Sequence, residues 1–150
     1  MKVPCTAADL CTRTVVVADP AMMAAEAARL MRTHHVGSLV VVEETSPTRK
    51  IVVGMLTDRD VATAIVAADR DPHALRVGDI MAGDPITVRE DDSMVDVLAA
   101  MRRKRVRRVP VADARGELIG ILSVDDILPV VAEQMRALAD VLAAANRHEL

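Results

Sequence analysis

The chain has 150 residues, 51% of them apolar and 27% charged, a balance typical of a globular domain and not of a disordered segment. It contains no Phe, Trp or Tyr, so aromatic stacking cannot be its way of gripping the base of a nucleic acid or a nucleotide. The net charge of −3 argues against a general affinity for nucleic acids or acidic membranes.

The first half of the chain predicts a strand, a helix, a strand pair and a second helix. In order, these elements are predicted at residues 15–17, 21–33, 38–42, 51–56 and 59–68. Asp19-Pro20 is typical of a helix start, and residues 43–50 are polar enough for a turn between the strands. Thr57-Asp58 predicts the N-terminal cap of the second helix.

The second half repeats this order. Its elements are predicted at residues 86–88, 93–104, 108–112 and 118–122, followed by a helix from residue 124. Asp91-Asp92-Ser93 opens the first of these helices, and Gly116 lies in the turn between the strands. Ser123 is expected to cap the last helix.

Beyond Pro129, residues 131–147 predict a further helical stretch. One of its faces is apolar at helical spacing, through Met135, Leu138, Val141, Leu142 and Ala145. Such a face packs either on its own domain or against a second copy of the chain in a dimer, and the pattern favours neither.

Two blocks of the sequence are copies of one pattern. It reads GMLTDRDV at residues 54–61 and GILSVDDI at residues 120–127, with the glycine, the hydroxyl residue and an aspartate in the same places. Upstream, Met31 matches Met101, and the spacing shows four extra residues in the first copy. A repeat of this size predicts two similar units, each β-α-β-β-α.

With this repeat in place, the chain resembles the CBS-domain family, named for the regulatory domain of cystathionine β-synthase, over residues 12–132. The resemblance rests on the paired Gly-x-x-[Thr/Ser]-x-x-Asp blocks, on VGDIM at residues 77–81 and on RRVPV at residues 107–111. It implies an α+β fold in which two β-α-β-β-α units pack sheet to sheet around a pseudo-twofold axis. It also implies that such modules often form disc-like homodimers, and that adenine nucleotides bind in clefts between the units.

The expected division of the chain follows the repeat. It places the first unit with the N-terminal segment at residues 1–68, the linker at 69–76, the second unit at 77–132 and a C-terminal helix at 133–150. The motif beginning at Val77 is expected to lead into the second unit.

The two blocks also predict a pair of nucleotide sites. An aspartate in the first turn after a strand can accept hydrogen bonds from both ribose hydroxyls, and a hydroxyl residue at a helix start lies where phosphate binds. We therefore expect Thr57 and Asp60 at the first site, and Ser123 and Asp126 at the second. The simpler interpretation is that the hydroxyl residues only cap helices and the aspartates only complement the helix dipole.

Cations and apolar residues complete the expected sites. The resemblance implies that a basic residue just before the second strand's apolar run can reach a phosphate; Arg108 matches that place, whereas Ser38 occupies it in the first unit. We therefore expect Arg107 and Arg108 to serve the second site, which would favour the more highly charged ligand. Val16 and Ile86, on the first strand of each unit, are the expected borders of the adenine.

Other chemistries have weaker signals. The sequence has no Walker-type phosphate loop and no Gly-x-Ser-x-Gly motif, so no enzymatic activity is expected. Cys5, Cys11, His34 and His35 are possible zinc ligands, but their spacing matches no familiar zinc motif, and the simpler interpretation of the histidines is that they cap a helix end. Within the basic run at residues 102–108, residues 102–105 are explained by the preference of cations for helix C-termini.

The sequence therefore predicts a regulatory module that requires no fixed cofactor. Its expected ligand is AMP, ADP, ATP or S-adenosylmethionine, and its expected partners are a second copy of the chain and a separate, regulated protein. The alternatives are a structural adaptor with empty clefts and a metal- or redox-responsive protein. No apolar run approaches the roughly 20 residues that span a bilayer and no secretion signal is recognisable, so a cytoplasmic location is expected.

Overall fold

The structure is a computed structural model that describes residues 6–148. In chain order its elements are α1 (Ala7–Leu10), β1 (Val17–Ala18), α2 (Ala24–His34), β2 (Ser38–Ser46), β3 (Arg49–Thr57), α3 (Asp58–Val61), α4 (Val77–Ile80), β4 (Val88–Arg89), α5 (Met94–Lys104), β5 (Arg108–Ala112), β6 (Leu118–Ser123) and α6 (Val124–His148). Helix α3 continues into a π-helical turn at Ala62–Val66. The order confirms the α+β class and two β-α-β-β-α units, each followed or preceded by one short helix.

Each unit contributes one three-stranded sheet, in the order β1-β2-β3 for the first unit and β4-β5-β6 for the second. In both sheets the first strand runs parallel to the second, and the second runs antiparallel to the third. Val41 lies opposite Gly54 in the first sheet, and Val111 lies opposite Gly120 in the second. The sequence repeat is therefore a repeat of strand register.

The two hairpins differ in length. Strands β2 and β3 have nine residues each, against five and six in β5 and β6. The turn predicted over residues 43–50 is therefore wrong, because Glu43 pairs with Ile51 and the strands continue to Ser46 and from Arg49. The four extra residues of the first copy lengthen this hairpin beyond the body of the sheet.

Helix α2 begins later than predicted. The carboxylate of Asp19 accepts a hydrogen bond from the backbone N–H of Ala21 at 2.7 Å, so Asp19-Pro20 forms a turn rather than a cap. The first N–H groups of the helix, at Ala24 and Ala25, donate instead to the carbonyls of Leu75 and Pro72. The cap comes from a segment about fifty residues away in sequence, which local patterns cannot show.

The two short helices exchange between the units. Val77, at the start of α4, is fully buried in the core of the first unit with Leu39 and Leu56, although the sequence places it at the head of the second. Ala7 of α1 is buried in the core of the second unit with Val109. The linker separates the two units in sequence. Each hydrophobic core, however, includes a short helix that belongs to the other unit in sequence.

After each short helix the chain crosses a strand of the other core. Thr12 exchanges backbone hydrogen bonds with Ile121, both at 2.9 Å, and Ala82 does the same with Met55. These crossings require the two strand glycines. A Cβ at Gly120 would lie 2.6 Å from the carbonyl oxygen of Thr12, and one at Gly54 would lie 2.9 Å from that of Ala82.

Helix α6 runs without interruption from Val124 through Pro129 to His148. Ile127 is buried in the second core, but every residue from 132 to 147 is exposed. Of the two interpretations of its apolar face, packing on its own domain is therefore wrong. None of the helices in the described part of the chain combines the length and apolarity that crossing a bilayer requires.

Candidate functional site

Two clefts lie between the units, and each carries one of the repeated blocks. The first cleft has a volume of about 750 Å³ and contains Thr57 and Asp60. The second has a volume of about 220 Å³ and contains Ser123 and Asp126. Each block is the end of a third strand and the start of the helix after it, so the repeat places the two motifs at equivalent points.

In the first cleft, Thr57 and Asp60 form a reciprocal capping box. The Thr57 N–H donates to Oδ2 of Asp60 at 2.9 Å, and the Asp60 N–H donates to Oγ1 of Thr57 at 3.1 Å. The capping interpretation of Thr57 is therefore confirmed. In the described part of the chain, Oδ1 of Asp60 accepts no hydrogen bond, so half of the carboxylate is available in the cleft.

In the second cleft, Asp126 is held more tightly. Its Oδ2 accepts hydrogen bonds from the Ser123 N–H at 2.9 Å and from the Ser123 hydroxyl at 3.0 Å. The Asp126 N–H also lies within hydrogen-bonding distance, 3.3 Å, of the same hydroxyl oxygen. Ser123 thus also caps a helix, and its hydroxyl already donates its hydrogen bond to the carboxylate of Asp126.

The opposite wall of each cleft is the turn between helix and strand of the other unit. Helix α5 ends at Arg105, which adopts a left-handed conformation with φ of 55°, and α2 ends in the same way at His35 with φ of 53°. Residues 104–108 line the first cleft with the sequence KRVRR, while His35, Val36 and Ser38 line the second. The two walls are equivalent in position, but only the wall of the first cleft contains Lys or Arg residues.

The first cleft is consequently the more cationic. Five basic side chains, Arg59, Lys104, Arg105, Arg107 and Arg108, and four carboxylates line it. Among the described residues of the second cleft, Arg108 and Asp126 are the only Lys, Arg, Asp or Glu side chains. The positive charge of one of these arginines is partly neutralised, because the guanidinium of Arg107 lies 3.9 Å from the carboxylate of Asp125 at an exposed position.

The expected residues divide between the clefts differently from the prediction. Arg107, which was expected at the second site, lines the first cleft and not the second. Arg108 lines both, because its guanidinium reaches across the units and donates to the hydroxyl of Ser38 at 3.4 Å. Val16 borders the second cleft and Ile86 the first, so the segment just before each first strand contacts the cleft that contains the motif of the other unit.

Lys104 and Arg105 were missed as site residues because the basic run was explained as a helix end. That explanation is correct for the helix, whose last turn contains Arg102, Arg103 and Lys104. The equivalence of this turn to residues 34–38 is visible in the repeat. What the sequence does not show is that each turn faces the motif of the other unit.

The possible zinc ligands do not form a site in the described residues, where no three His, Cys, Asp or Glu side chains come together to hold a metal. Cys5 lies outside the described residues. Cys11 is half-buried beside Gly120, and its thiol donates to the carbonyl of Ala8 at 3.6 Å. Burial raises the pKa of the Cys11 thiol, and the nearby Arg13 only partly opposes this.

Comparison with known proteins gives the family. A model of the CBS domain matches residues 7–67 and, a second time, residues 77–133. The chain belongs to the CBS-domain family. It is a tandem CBS pair, and proteins of this kind generally serve as regulatory or signalling modules.

Individual relatives agree with this CBS pair over most of its length. Protein MK0525 of Methanopyrus kandleri is 35% identical over 122 residues, which make up 81% of this chain and 60% of MK0525. Hypoxic response protein 1 of Mycobacterium tuberculosis is 31% identical over 125 residues, 80% of this chain and 84% of that protein.

Two solved structures share the fold. A structure of Hypoxic Response Protein I with two coordinated zinc ions superposes with a TM-score of 0.71 at 31% identity, over 83% of this chain and 97% of the other. The cytosolic domain of the Mg²⁺ channel MgtE in complex with ATP superposes with a TM-score of 0.70 at 29% identity, over 84% of this chain and 48% of the other.

Proposed function

We propose that this CBS pair is a regulatory module that binds an adenine nucleotide, with its polyphosphate form in the first cleft, and signals to a partner protein. The observation that carries the proposal is the first cleft itself. It combines a half-free carboxylate at Asp60 with the basic turn at residues 104–108 on the facing wall.

The carboxylate is suited to a ribose. The diol of a ribose presents two donors side by side, and a carboxylate accepts both with charge-assisted hydrogen bonds. Asp60 keeps its orientation because Oδ2 is fixed by the N–H of Thr57, which leaves Oδ1 to approach the sugar. The capping box is therefore compatible with ribose binding rather than an alternative to it.

The basic turn is suited to phosphates. One arginine guanidinium group can donate two parallel hydrogen bonds to the oxygens of a phosphate, and lysine adds a mobile point charge. Arg105 and Arg108 lie on either side of Val106 and enter the cleft from one wall, and Arg59 enters from the other. This reverses the expectation that the second site takes the more highly charged ligand. ATP in the MgtE structure is a precedent in the family.

Size separates the two clefts as well. Small-molecule sites usually have volumes of about 300–1,000 Å³, a range that includes the first cleft at about 750 Å³ and not the second at about 220 Å³. Ile86 offers the first cleft an apolar border for the adenine, without aromatic stacking. The first cleft is therefore the principal site in this proposal.

The way in which ligand binding would be signalled follows from the position of the clefts between the two units. Each is walled by both units, so a ligand contacts both and favours one relative arrangement of the two sheets. The change can be no larger than the difference in ligand affinity between the arrangements. A partner protein, or a second copy of the chain in the homodimer that the family resemblance implies, would bind one of these arrangements.

Thermal unfolding with AMP, ADP, ATP and S-adenosylmethionine tests the proposal. A ligand at a hundredfold over its dissociation constant stabilises a protein by about 2.7 kcal/mol when it binds only the native state. We expect the largest shift with ATP, its loss in Asp60→Asn, and its persistence in Asp126→Asn.

Asp79→Asn is the matched control. Asp79 occupies the equivalent position in the first turn of α4 and accepts from the N–H of Arg76 at 2.9 Å, but it lines neither cleft. The control should lower the melting temperature and leave the ligand shift intact. If no adenosyl ligand produces a shift in the wild-type protein, the proposal fails and the adaptor interpretation replaces it.

A further inference from the structure

The C-terminal part of α6 extends beyond the body of the protein. Val131 still packs against the second core, but residues 132–147, here called the tail, are all exposed. Met135, Leu138 and Leu142 are 60–66% exposed. A helix of this length is only marginally stable in water by itself, because most helical stability in proteins comes from packing of an apolar face.

The apolar residues of α6 follow a coiled-coil spacing. They alternate three and four residues apart, at Leu128, Val131, Met135, Leu138, Leu142 and Ala145. This is a repeat of seven with two apolar positions, which keeps the apolar stripe facing a second helix along its whole length. A helix that packs only on its own domain does not need so strict an alternation.

Charge is absent from the stripe and its borders. The residues that flank it are Ala132, Gln134, Ala139 and Val141. The charged residues of the tail lie on the opposite side: Glu133, Arg136, Asp140 and Arg147. Glu133 and Arg136 approach each other there to 3.7 Å. Depletion of charge from the centre of a surface is typical of a protein–protein interface.

We propose that the tails of two copies of this chain pair antiparallel along this stripe. Around a twofold axis level with Asp140, Met135 of one copy lies level with Ala145 of the other, and Leu138 with Leu142. A twofold pair requires this reciprocity: when one residue of the first copy contacts a second residue of the other copy, the same two residues also meet with the copies exchanged. The stripe is thus complementary to itself, which identifies a second copy as the occupant.

Side-chain size favours this orientation over a parallel one. The antiparallel register places the large Met135 opposite the small Ala145 at both ends, so the layers have similar volumes. In a parallel pair, Met135 would meet Met135 and Ala145 would meet Ala145, leaving the second layer underfilled.

This pairing is independent of the nucleotide proposal, because residues 132–147 line neither cleft. Sedimentation equilibrium of the full chain over a dilution series tests it without any ligand. We expect self-association in the wild-type protein and half of its mass in Leu138→Glu. Ala137→Glu adds the same charge to the neighbouring residue on the opposite face and should retain the wild-type mass.

A wild-type protein that stays monomeric, or a Leu138→Glu variant with unchanged mass, would overturn the pairing. A mass lost equally in Ala137→Glu would also overturn it, by showing that charge on the helix and not the stripe is responsible. Circular dichroism of each variant shows whether the body remains folded.

Disulfide trapping tests the orientation. In a Cys5→Ser, Cys11→Ser background, Leu138→Cys and Leu142→Cys proteins should form a disulfide dimer when mixed and oxidised, because the two positions lie opposite each other. Each variant alone should remain unlinked. Efficient linking of either variant to itself would show a parallel pair and overturn the antiparallel register.

Discussion

The two clefts contain the same sequence motif but differ in the residues that face it. In both, a hydroxyl residue and an aspartate close a capping box at the end of a third strand. The facing turn is KRVRR in the first cleft and HHVGS at the equivalent place in the second. The first is also more than three times larger, about 750 against 220 Å³.

In the proposed function, the motif positions a ligand while the opposite unit selects it. The repeat contains both the capping box and the turn, but the fold places each turn against the other unit's motif. A change at residues 104–107 therefore alters the first cleft alone, whereas a change at Arg108 affects both clefts. The predictions below test how far this separation extends.

The largest effect is expected from filling the strand glycines. A Cβ at Gly120 would meet the Thr12 carbonyl at 2.6 Å, and this backbone is fixed by two hydrogen bonds to Ile121, so Gly120→Ala should cost about 1–3 kcal/mol of unfolding free energy. Gly54→Ala should cost less, because its backbone contact, with the carbonyl of Ala82, is longer at 2.9 Å, and its closest contact, at 2.6 Å, is the flexible side chain of Met81.

Urea unfolding measures both costs. Gly83→Ala is the control, since a Cβ there meets no atom within 4 Å. If Gly120→Ala unfolds at the same urea concentration as Gly83→Ala, the crossing of the chain over β6 is not as tight as described.

Removing single arginines should separate the clefts. Arg107 lines only the first cleft, whereas Arg108 lines both. A hydrogen bond to a charged group is worth about 1.5–3 kcal/mol, so Arg108→Gln should weaken ATP binding roughly tenfold or more. Arg107→Gln should have a smaller effect, because Asp125 and solvent already share its charge.

Calorimetric titration with ATP in the Asp126→Asn background reads the first cleft alone. Arg103→Gln is the matched control, because Arg103 belongs to the same basic run but lines neither cleft. An equal loss of affinity in Arg103→Gln would mean that general charge, and not the wall of the cleft, attracts the nucleotide.

The side chains that pack against the two strand glycines differ in chemical reactivity. Cys11 lies behind Gly120 where Met81 lies behind Gly54. Because burial raises the pKa of the Cys11 thiol, we expect a Cys5→Ser protein to react with iodoacetamide more slowly than a free thiol, and faster as the pH rises into the alkaline range. Mass spectrometry follows the reaction, and a rate equal to that of an unfolded control would contradict the burial.

The smallest effect concerns the second hairpin. Backbone N–H groups of Glu117 and Arg115 donate to the Asp113 carboxylate and lower its pKa. The turn should therefore be fully stabilised above the ordinary pKa of aspartate and lose this support as the pH falls through the lowered value. The Glu117 amide shift, followed by NMR, should titrate in the wild-type protein and not in Asp113→Asn, with little change in global stability.

Several features of the molecule followed from sequence alone, because they depend on neighbours along the chain. The duplicated blocks predicted two similar units, and β5 lies at the predicted residues 108–112. Ser93 and Ser123 were expected at helix starts, and both cap them, since a cap needs only a hydroxyl and the next turn of helix. The residues of the two motifs were identified for the same reason.

Tertiary structure alone decided which partners these local features meet. The start of α2 depends on the carbonyls of Leu75 and Pro72, and the cores exchange Ala7 and Val77, contacts that no local pattern encodes. The basic wall of the first cleft likewise comes from a turn in the other unit, which is why Arg107, expected at the second site, lines the first. Periodicity fixes the near neighbours of a residue, but only the packing of the two units determines what lies across a cleft.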